Sequence, residues 1–369
     1  MAADVRVGVT GAHGLVGWHL RCRLFALAGC TPVAAGRPEL ATPEAMAGFV
    51  RDCDVIVHCA GMNRGADDDV ERTNVELAQR LVDALEATGL TPQVVYANSV
   101  QRTRDTPYGR SKRRAAEILG AWAERAPAPF VDLVLPHVFG EDGRPFYNSV
   151  VSTFCHQVAK GEAPVVENDA QLELAHAQDV AEAVTDLIGR RASGEERVSG
   201  RPMTVRGLLA AVEALAAQYR DHRIPDLGDP FQRALFSTLR SYLFPAHYPA
   251  GLTLRSDERG TLFEAVRTDN RGQTFMSTTR PGFTRGQHFH LRKFERFLVV
   301  EGEAVIRIRR MFSDEVHSFE VSGTAKGYVD MPSLYTHSIT NTGSSDLLTL
   351  FWTDEIFDPA APDTIPEPV

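Results

Sequence analysis

The sequence predicts two folds in series: a doubly wound parallel α/β sheet, then a small all-β barrel or sandwich. Three observations predict this. Apolar runs of strand length alternate with amphipathic helical stretches through most of the chain. A glycine-rich turn joins the first strand to the first helix. Beyond about residue 247, short β-type runs broken at regular intervals by turn residues replace the helical periodicity.

The elements follow in order. "VRVGVT" opens as a strand, and "TPVAAG", "DVIVHCA", "PQVVYANS" and "FVDLVLP" succeed it. Four of these are continuous apolar runs rather than alternating ones, the pattern of strands covered on both faces. "NVELAQRLVDALEATG" is an amphipathic helix that stops at Gly89, and "VRGLLAAVEALAAQYR" begins a helical region reaching Leu243. Prolines and glycines then cluster in "SYLFPAHYPAGLTLRSDERG", which reads as a linker. The expected domains are therefore 1–246 and 247–369. "FLVVEGEAVIRIRR", "HSFEVSG" and "LLTLFWTDE" supply strands to the second. Trp352 and Phe351 read as core or dimer contacts, and His247 and His317 as surface residues.

Composition narrows the function classes. Of 369 residues, 43% are hydrophobic and 24% charged, ordinary values for a soluble enzyme of two domains. The formal charge of -9 supplies no attraction to nucleic acid or anionic membrane. The first strand begins almost at once, so neither a signal peptide nor a membrane span is expected. Five cysteines without a C-x-x-C pair point to reduced thiols and a cytoplasmic protein.

Gly11, Gly14 and Gly17 lie between the first strand and the first helix. Glycines there permit a tight turn and close approach of a pyrophosphate, which the free amides of the helix N-terminus attract. This is a Rossmann-type dinucleotide site; the bland alternative is a plain strand-helix turn. Arg37 ends the second strand, where an acidic residue would bind the ribose of NAD. An arginine suits the extra phosphate of NADPH, with His13 assisting, unless it is simply a solvated loop residue. Tyr108 and Lys112 are four residues apart, on one helix face. An ammonium near a phenol lowers its proton affinity, so that the phenol can protonate a carbonyl oxygen as hydride arrives. Ser99 ends the preceding strand, where its hydroxyl can hold the same oxygen.

The second domain carries His288, His290, Glu295 and Gly302, then Pro332, His337 and Asn341. The two sets match H-x-H-x(4)-E-x(6)-G and P-x(4)-H-x(3)-N, the motifs of the cupin fold, a double-stranded β-helix or jelly roll. Alternate histidines on a strand share a face. Two histidines, a carboxylate and a third histidine suit a divalent metal, with zinc expected and iron or nickel possible chemically. "RGQHFH" is also similar to the R-G-x-H of cupin-type sugar epimerases, on which pattern His288 is a base rather than a ligand. Tyr335 could face the pocket as a proton donor.

"VTGAHGLVG", "HCAG", "NSVQ", "YGRSK", "LPHVFGE" and "AHAQDVAEAV" stand in the order of the extended short-chain dehydrogenase/reductases that act on nucleotide sugars, which the first domain resembles. The resemblance implies Ser99, Tyr108 and Lys112 as the catalytic trio, Ala60 and Gly61 beside the cofactor, and Asn148 at the nucleotide sugar. One departure is plain: eight residues separate Ser99 from Tyr108, where many members carry a longer insertion. The chain as a whole, including "DLGDPFQRALFSTLRSYLFPAHYP" and the tail "IFDPAAPDT", resembles the bifunctional reductase–cupin enzymes of bacterial capsule and O-antigen synthesis, the CapF/WbjC type. That resemblance implies a homodimer with two activities. The cupin epimerises a UDP-4-keto-6-deoxy-2-acetamido sugar beside its ketone. The reductase then reduces the ketone with NADPH, on the route to UDP-N-acetyl-L-fucosamine. In the cupin half His290 is the catalytic residue to test. The rival reading keeps only the reductase catalytic and makes the cupin a metal-stabilised dimerisation module.

Overall fold

A computed structural model describes residues 4–252, 255–257, 260–262, 266–268, 272–355, 358 and 360–369. Thr253, Leu254, Glu258 and Arg259 of the linker, and Ile356, Phe357 and Pro359 of the tail, lie outside the described residues. The chain divides into two compact units, Met1–Thr153 with Asn168–Val205, and Phe154–Glu167 with Arg206–Val369.

The first unit contains β1 (Val5–Thr10), α1 (Leu15–Ala26), β2 (Cys30–Ala35), α2 (Pro43–Arg51), β3 (Val55–His58), α3 (Asp67–Thr88), β4 (Gln93–Ser99), α4 (Pro107–Arg125), β5 (Phe130–Leu135) and β6 (His137–Phe139). After α5 (Val150–Ala159), which runs on into the second unit, come β7 (Gln171–His176), α6 (Ala177–Gly189), β8 (Gly194–Arg197) and β9 (Arg201–Thr204). Six strands pair in parallel in the order β2-β1-β3-β4-β5-β8, and β6, β7 and β9 form a separate small sheet. Both faces of the large sheet are covered, which is why its strands are apolar throughout: Val7, Val9, Val55, Val57 and Val95 face one core and Ile56, Val94 and Tyr96 the other. Helix α3 starts on Asp67, Asp68 and Asp69, favourable at the positive end of its dipole, and stops where Gly89 turns left-handed at φ 67°.

The second unit contains α7 (Val205–Arg220), β10 (Arg223–Ile224), α8 (Pro230–Leu243), β11 (Ala250–Gly251), β12 (Arg255–Asp257), β13 (Gly260–Leu262), β14 (Arg267–Thr268) and β15 (Gln273–Thr279). It continues with β16 (Thr284–Phe289), β17 (Glu295–Glu301), β18 (Glu303–Arg310), β19 (Val316–Ser322), β20 (Gly327–Met331), β21 (Tyr335–Asn341), β22 (Leu347–Thr353) and β23 (Ile365–Pro366). Two antiparallel five-stranded sheets, β11-β20-β17-β22-β15 and β19-β18-β21-β16-β23, form the jelly roll. Phe297, Val299, Ile306, Ile308, Ile339 and Leu347 lie in its core.

The compact units do not divide at 246/247. Helices α7 and α8 belong with the β-rich unit, because the buried face of α8 packs on the jelly roll. Phe236 meets Phe294 with ring centres 5.6 Å apart, and the buried Arg240 lies 3.9 Å from the Phe294 ring and 3.5 Å from Asp330. His247 is not a surface residue: it is half-buried, 5.8 Å from the Tyr219 ring and 5.2 Å from that of Tyr248. Trp352 and Phe351 are buried.

Candidate active site and metal centre

Strand order reverses between β1 and β3, and ligands of doubly wound sheets bind beyond the strand ends at such a point. Two loops converge there. Gly11 has φ 65°, and a Cβ on it would lie 2.8 Å from the backbone nitrogen of Ala60 in the loop after β3. A Cβ on Gly17 would lie 2.3 Å from the Gly11 carbonyl oxygen, so α1 can only start this close if residue 17 is glycine. The Ala60 amide donates to Thr10 Oγ1 at 3.1 Å, and Thr10 Oγ1 shares a 2.8 Å hydrogen bond with His58 Nδ1. Helix α1 begins after Gly14 with no side-chain cap and no acid in its first turn. Its amides and positive dipole end are thus available to an anion, which fits a dinucleotide pyrophosphate. Gly11, Gly14, Gly17, Ala60 and Gly61 come together at this switch point. His13 and Arg37 are exposed, and His13 lies beside Gly36, next to Arg37 in the chain.

Asn74 escaped the sequence reading. It is buried on α3, its Oδ1 accepts from the Met62 amide at 2.6 Å, and its Nδ2 donates to Met62 O at 2.7 Å and Ser111 Oγ at 2.9 Å. Ser111 Oγ in turn donates to the Tyr108 carbonyl at 2.8 Å. One amide side chain thereby ties the cofactor-side loop to the helix that bears Tyr108. A polar residue on the apolar stripe of a helix was its only signal.

Tyr108 sits in the first turn of α4, which Thr106 caps by accepting from the Gly109 amide at 3.1 Å. The short Ser99–Tyr108 connection is a single 3-10 turn, Val100–Thr103. Gly109 makes it feasible, because a Cβ there would lie 2.3 Å from the Arg104 carbonyl and 2.5 Å from that of Gln101. The Ser99 hydroxyl is close enough to influence the Tyr108 phenol. Burial pushes the Tyr108 phenol up, the Ser99 hydroxyl pulls it down and Tyr147 adds to the rise, with the net direction upward. That is opposite to the lowering expected from Lys112, whose ammonium is engaged elsewhere. Lys112 is buried, donates to the Ala97 carbonyl at 2.5 Å and lies 4.1 Å from the Tyr96 ring centre. Burial brings its own value down to about 8. Asn148 is exposed in the segment between β6 and α5.

In the second unit, His288 on β16 and His337 on β21 are direct partners across the sheet. His290 follows β16, and Glu295 opens β17 on the other sheet. One ligand atom from each of the four lies within 4.8 Å of the other three. Glu295 Oε2 is 3.4 Å from His290 Nε2 and 3.2 Å from His337 Nε2. Burial alone would raise Glu295, but the closeness of His290 and His337 holds it well below the usual carboxylate range. Burial, then the neighbouring His337 and His290, push His288 down to about 3. The nitrogens His290 Nε2 and His337 Nε2 are buried without a hydrogen-bond partner. Buried orphans of this kind call for a ligand, and a His₃Glu donor set fits a divalent metal. Tyr335 is buried in the jelly-roll core, its ring 5.2 Å from that of Phe244.

Comparison with known proteins agrees with both halves. Residues 7–199 match the model of the "NAD dependent epimerase/dehydratase family", and residues 255–365 that of the "Polysaccharide biosynthesis C-terminal domain". The chain belongs to the NAD dependent epimerase/dehydratase family. It is of the CapF/WbjC type within it, for the likeness extends over both units. The chain is 32% identical to the UDP-2-acetamido-2,6-beta-L-arabino-hexul-4-ose reductase of Pseudomonas aeruginosa, over 98% of each chain. It is similar to the crystal structure of the capsular polysaccharide assembling protein CapF from Staphylococcus aureus, with 32% identity, 98% of this chain and 100% of that one covered, and a TM-score of 0.64. The Thermus thermophilus UDP-glucose 4-epimerase, solved with NAD, is 18% identical, with 65% of this chain and 99% of that one covered, and a TM-score of 0.55; it shares the fold of the first unit. Among the described residues no helix is long and apolar enough to cross a membrane.

Proposed function

We propose that the chain is a bifunctional nucleotide-sugar enzyme. Residues within 247–369 epimerise a UDP-2-acetamido-2,6-dideoxy-4-hexulose at the carbon next to its ketone, and residues within 1–246 reduce that ketone. The observation that carries the reading is the presence on one chain of a Ser99–Tyr108 pair, a glycine turn of the kind that admits a pyrophosphate, and a buried His₃Glu cluster. The whole-length likeness to a ketose reductase supports it.

The nicotinamide of NADPH supplies hydride when bound. Gly11, Gly14 and Gly17 admit its pyrophosphate, with Ala60 and Gly61 alongside and His13 and Arg37 toward the 2'-phosphate. Ser99 orients the ketone oxygen and Tyr108 gives it a proton, with Lys112 as the third member of the expected trio, its buried ammonium held at the Ala97 carbonyl. Asn148 and Tyr335 are candidates for contact with substrate. In the jelly roll His288, His290, Glu295 and His337 would hold a divalent metal, zinc in the first instance. Such an ion, when bound, stabilises negative charge on the oxygen of an enolising ketone. A second reading makes His288 the base that takes the proton, favoured because it alone of the three histidines is partly open to solvent. Epimerisation beside a ketone is near balanced, and reduction then traps one epimer, which explains why the two activities share a chain.

The test is incubation with a UDP-4-keto-6-deoxy-HexNAc in deuterated water, with and without NADPH, followed by mass spectrometry. One deuterium at the carbon beside the ketone is expected without NADPH, and reduced product with it. His290→Ala should abolish the exchange. His288→Ala separates the two readings: loss of metal marks a ligand, whereas loss of exchange with metal retained marks the base. Absence of exchange in the parent chain would leave a reductase alone.

A further inference from the structure

Residues 362–369 run back across the histidine cluster. Strand β23 pairs with β16, Pro366 opposite His288 and Ile365 opposite Phe289. Just before it, Asp363 takes a left-handed backbone conformation at φ 43° and is buried. Its carbonyl oxygen lies 2.5 Å from His290 Nδ1. A carbonyl only accepts, so Nδ1 carries the ring proton and Nε2 keeps its lone pair. That lone pair is on the nitrogen 3.4 Å from Glu295 Oε2.

The same residue grips the segment that links two of the four donors. The Asp363 carboxylate accepts from the backbone amides of Leu291 at 3.0 Å, Arg292 at 3.0 Å and Lys293 at 2.9 Å. These lie between His290 and Glu295, so main chain and side chain of Asp363 together set how β16 turns into β17. Further along, Thr336, next to His337, donates to the Glu367 carbonyl. The Glu367 amide donates to the Gln287 carbonyl at 2.9 Å, and Arg309 Nη2 to Glu367 Oε1 at 2.9 Å. The strap thus touches the strands that carry His288 and His337 and the turn that links His290 to Glu295.

We infer that Asp363 is a positioning residue of the metal centre, and that ordering of residues 362–369 is thermodynamically coupled to metal binding. The inference rests on the reading that the His₃Glu cluster holds a divalent ion. A carbonyl fixing the far nitrogen of a ligand histidine is worth 10- to 100-fold in metal affinity elsewhere. Coupling is reciprocal: if the strap tightens the metal, the metal must tighten the strap.

The experiment uses the full chain with Zn²⁺ as probe. Affinity is read by competition with a chromogenic chelator, and order by hydrogen–deuterium exchange of peptides covering 290–294 and 362–369. Asp363→Gly keeps the carbonyl and the left-handed backbone but loses the carboxylate, and should weaken Zn²⁺ binding about 10-fold; deletion of 362–369 loses both and should weaken it about 100-fold. In the parent chain, Zn²⁺ should slow exchange in both peptides, whereas a merely structural strap would exchange alike with and without the ion. Unchanged affinity in both variants, or exchange in the parent indifferent to Zn²⁺, overturns the inference alone. Should a variant fail to fold without metal, the exchange measurement on the parent decides. A parent chain that retains no Zn²⁺ overturns the metal reading, and this inference with it.

Discussion

The two sites are assembled on different length scales. In the first unit the candidate residues are neighbours in sequence: the glycines 11 to 17, and Tyr108 with Lys112 one helical turn later. In the second, the donors are spread from His288 to His337 and meet only because two strands pair and two sheets face each other. The first kind of site is built by backbone close approach, the second by strand register. A glycine motif can therefore be damaged by one added methyl group, and a metal cluster by any shift that turns a strand face, since one residue of slip reverses every side chain.

The sharpest way to break this comparison is to separate the two activities proposed for the two sites. Tyr108→Phe should lower the rate of ketone reduction by about 10²- to 10⁴-fold, read by single-turnover NADPH oxidation, and leave deuterium exchange at the neighbouring carbon unchanged. Normal reduction by that variant would sink the reductase assignment.

Next in size is a test of whether the first unit also relies on distant partners. Glu141 and His176 are buried 3.0 Å apart, with His19 Nε2 3.2 Å from the Glu141 carbonyl. Burial would raise Glu141, but the charge and hydrogen bond of His176 hold it below its ordinary 4.5. Burial would lower His176, but Glu141 holds it above its ordinary 6.5. The carboxylate's contribution is present above pH 4.5 and is lost as pH falls through its folded value. The histidine's is complete below pH 6.5 and lost as pH rises through its folded value. Glu141→Gln should therefore cost about 3–5 kcal/mol, with the gap to the parent widest between pH 4.5 and 6.5, measured by urea unfolding. An equal gap at every pH would refute the pair.

Gly109→Ala should be milder, about 1–3 kcal/mol, because the added Cβ collides with two carbonyl oxygens of a rigid turn. It should also slow reduction by displacing Tyr108, while the metal affinity of the jelly roll stays at the parent value. The subtlest effect concerns Lys112. Its folded value, brought to about 8 by burial, lies below its ordinary 10.5, so between these the unfolded chain binds more protons and stability rises with pH. Lys112→Met should flatten that slope in denaturant titrations at pH 8 to 10.5; an unchanged slope would place the lysine in water.

Much of this was legible in the sequence because periodicity and spacing are local. β1 and α7 coincide with the runs read for them, and α3 stops before the same Gly89. The clustering of His288, His290, Glu295 and His337 was legible too, since two fixed spacings encode strand faces even across a sheet. The unit boundary was not, because the apolar faces of α7 and α8 say that they must be covered but not by what. Asn74 and Asp363 were equally hidden: an amide on a helix stripe and an acid in a tail have meaning only once their backbone partners are in place.

By itself the sequence determined two folds in order, the glycine turn after the first strand and the spacing of four histidine and glutamate side chains that meet in the jelly roll, because turn sterics and the two side-chain periods act over a few residues. Only the tertiary structure decided that the Lys112 ammonium is held at the Ala97 carbonyl of β4, that α8 packs on the jelly roll, and that a distant carbonyl sets which nitrogen of His290 faces the cluster. Burial and hydrogen-bond direction depend on partners far along the chain, and no local pattern carries them.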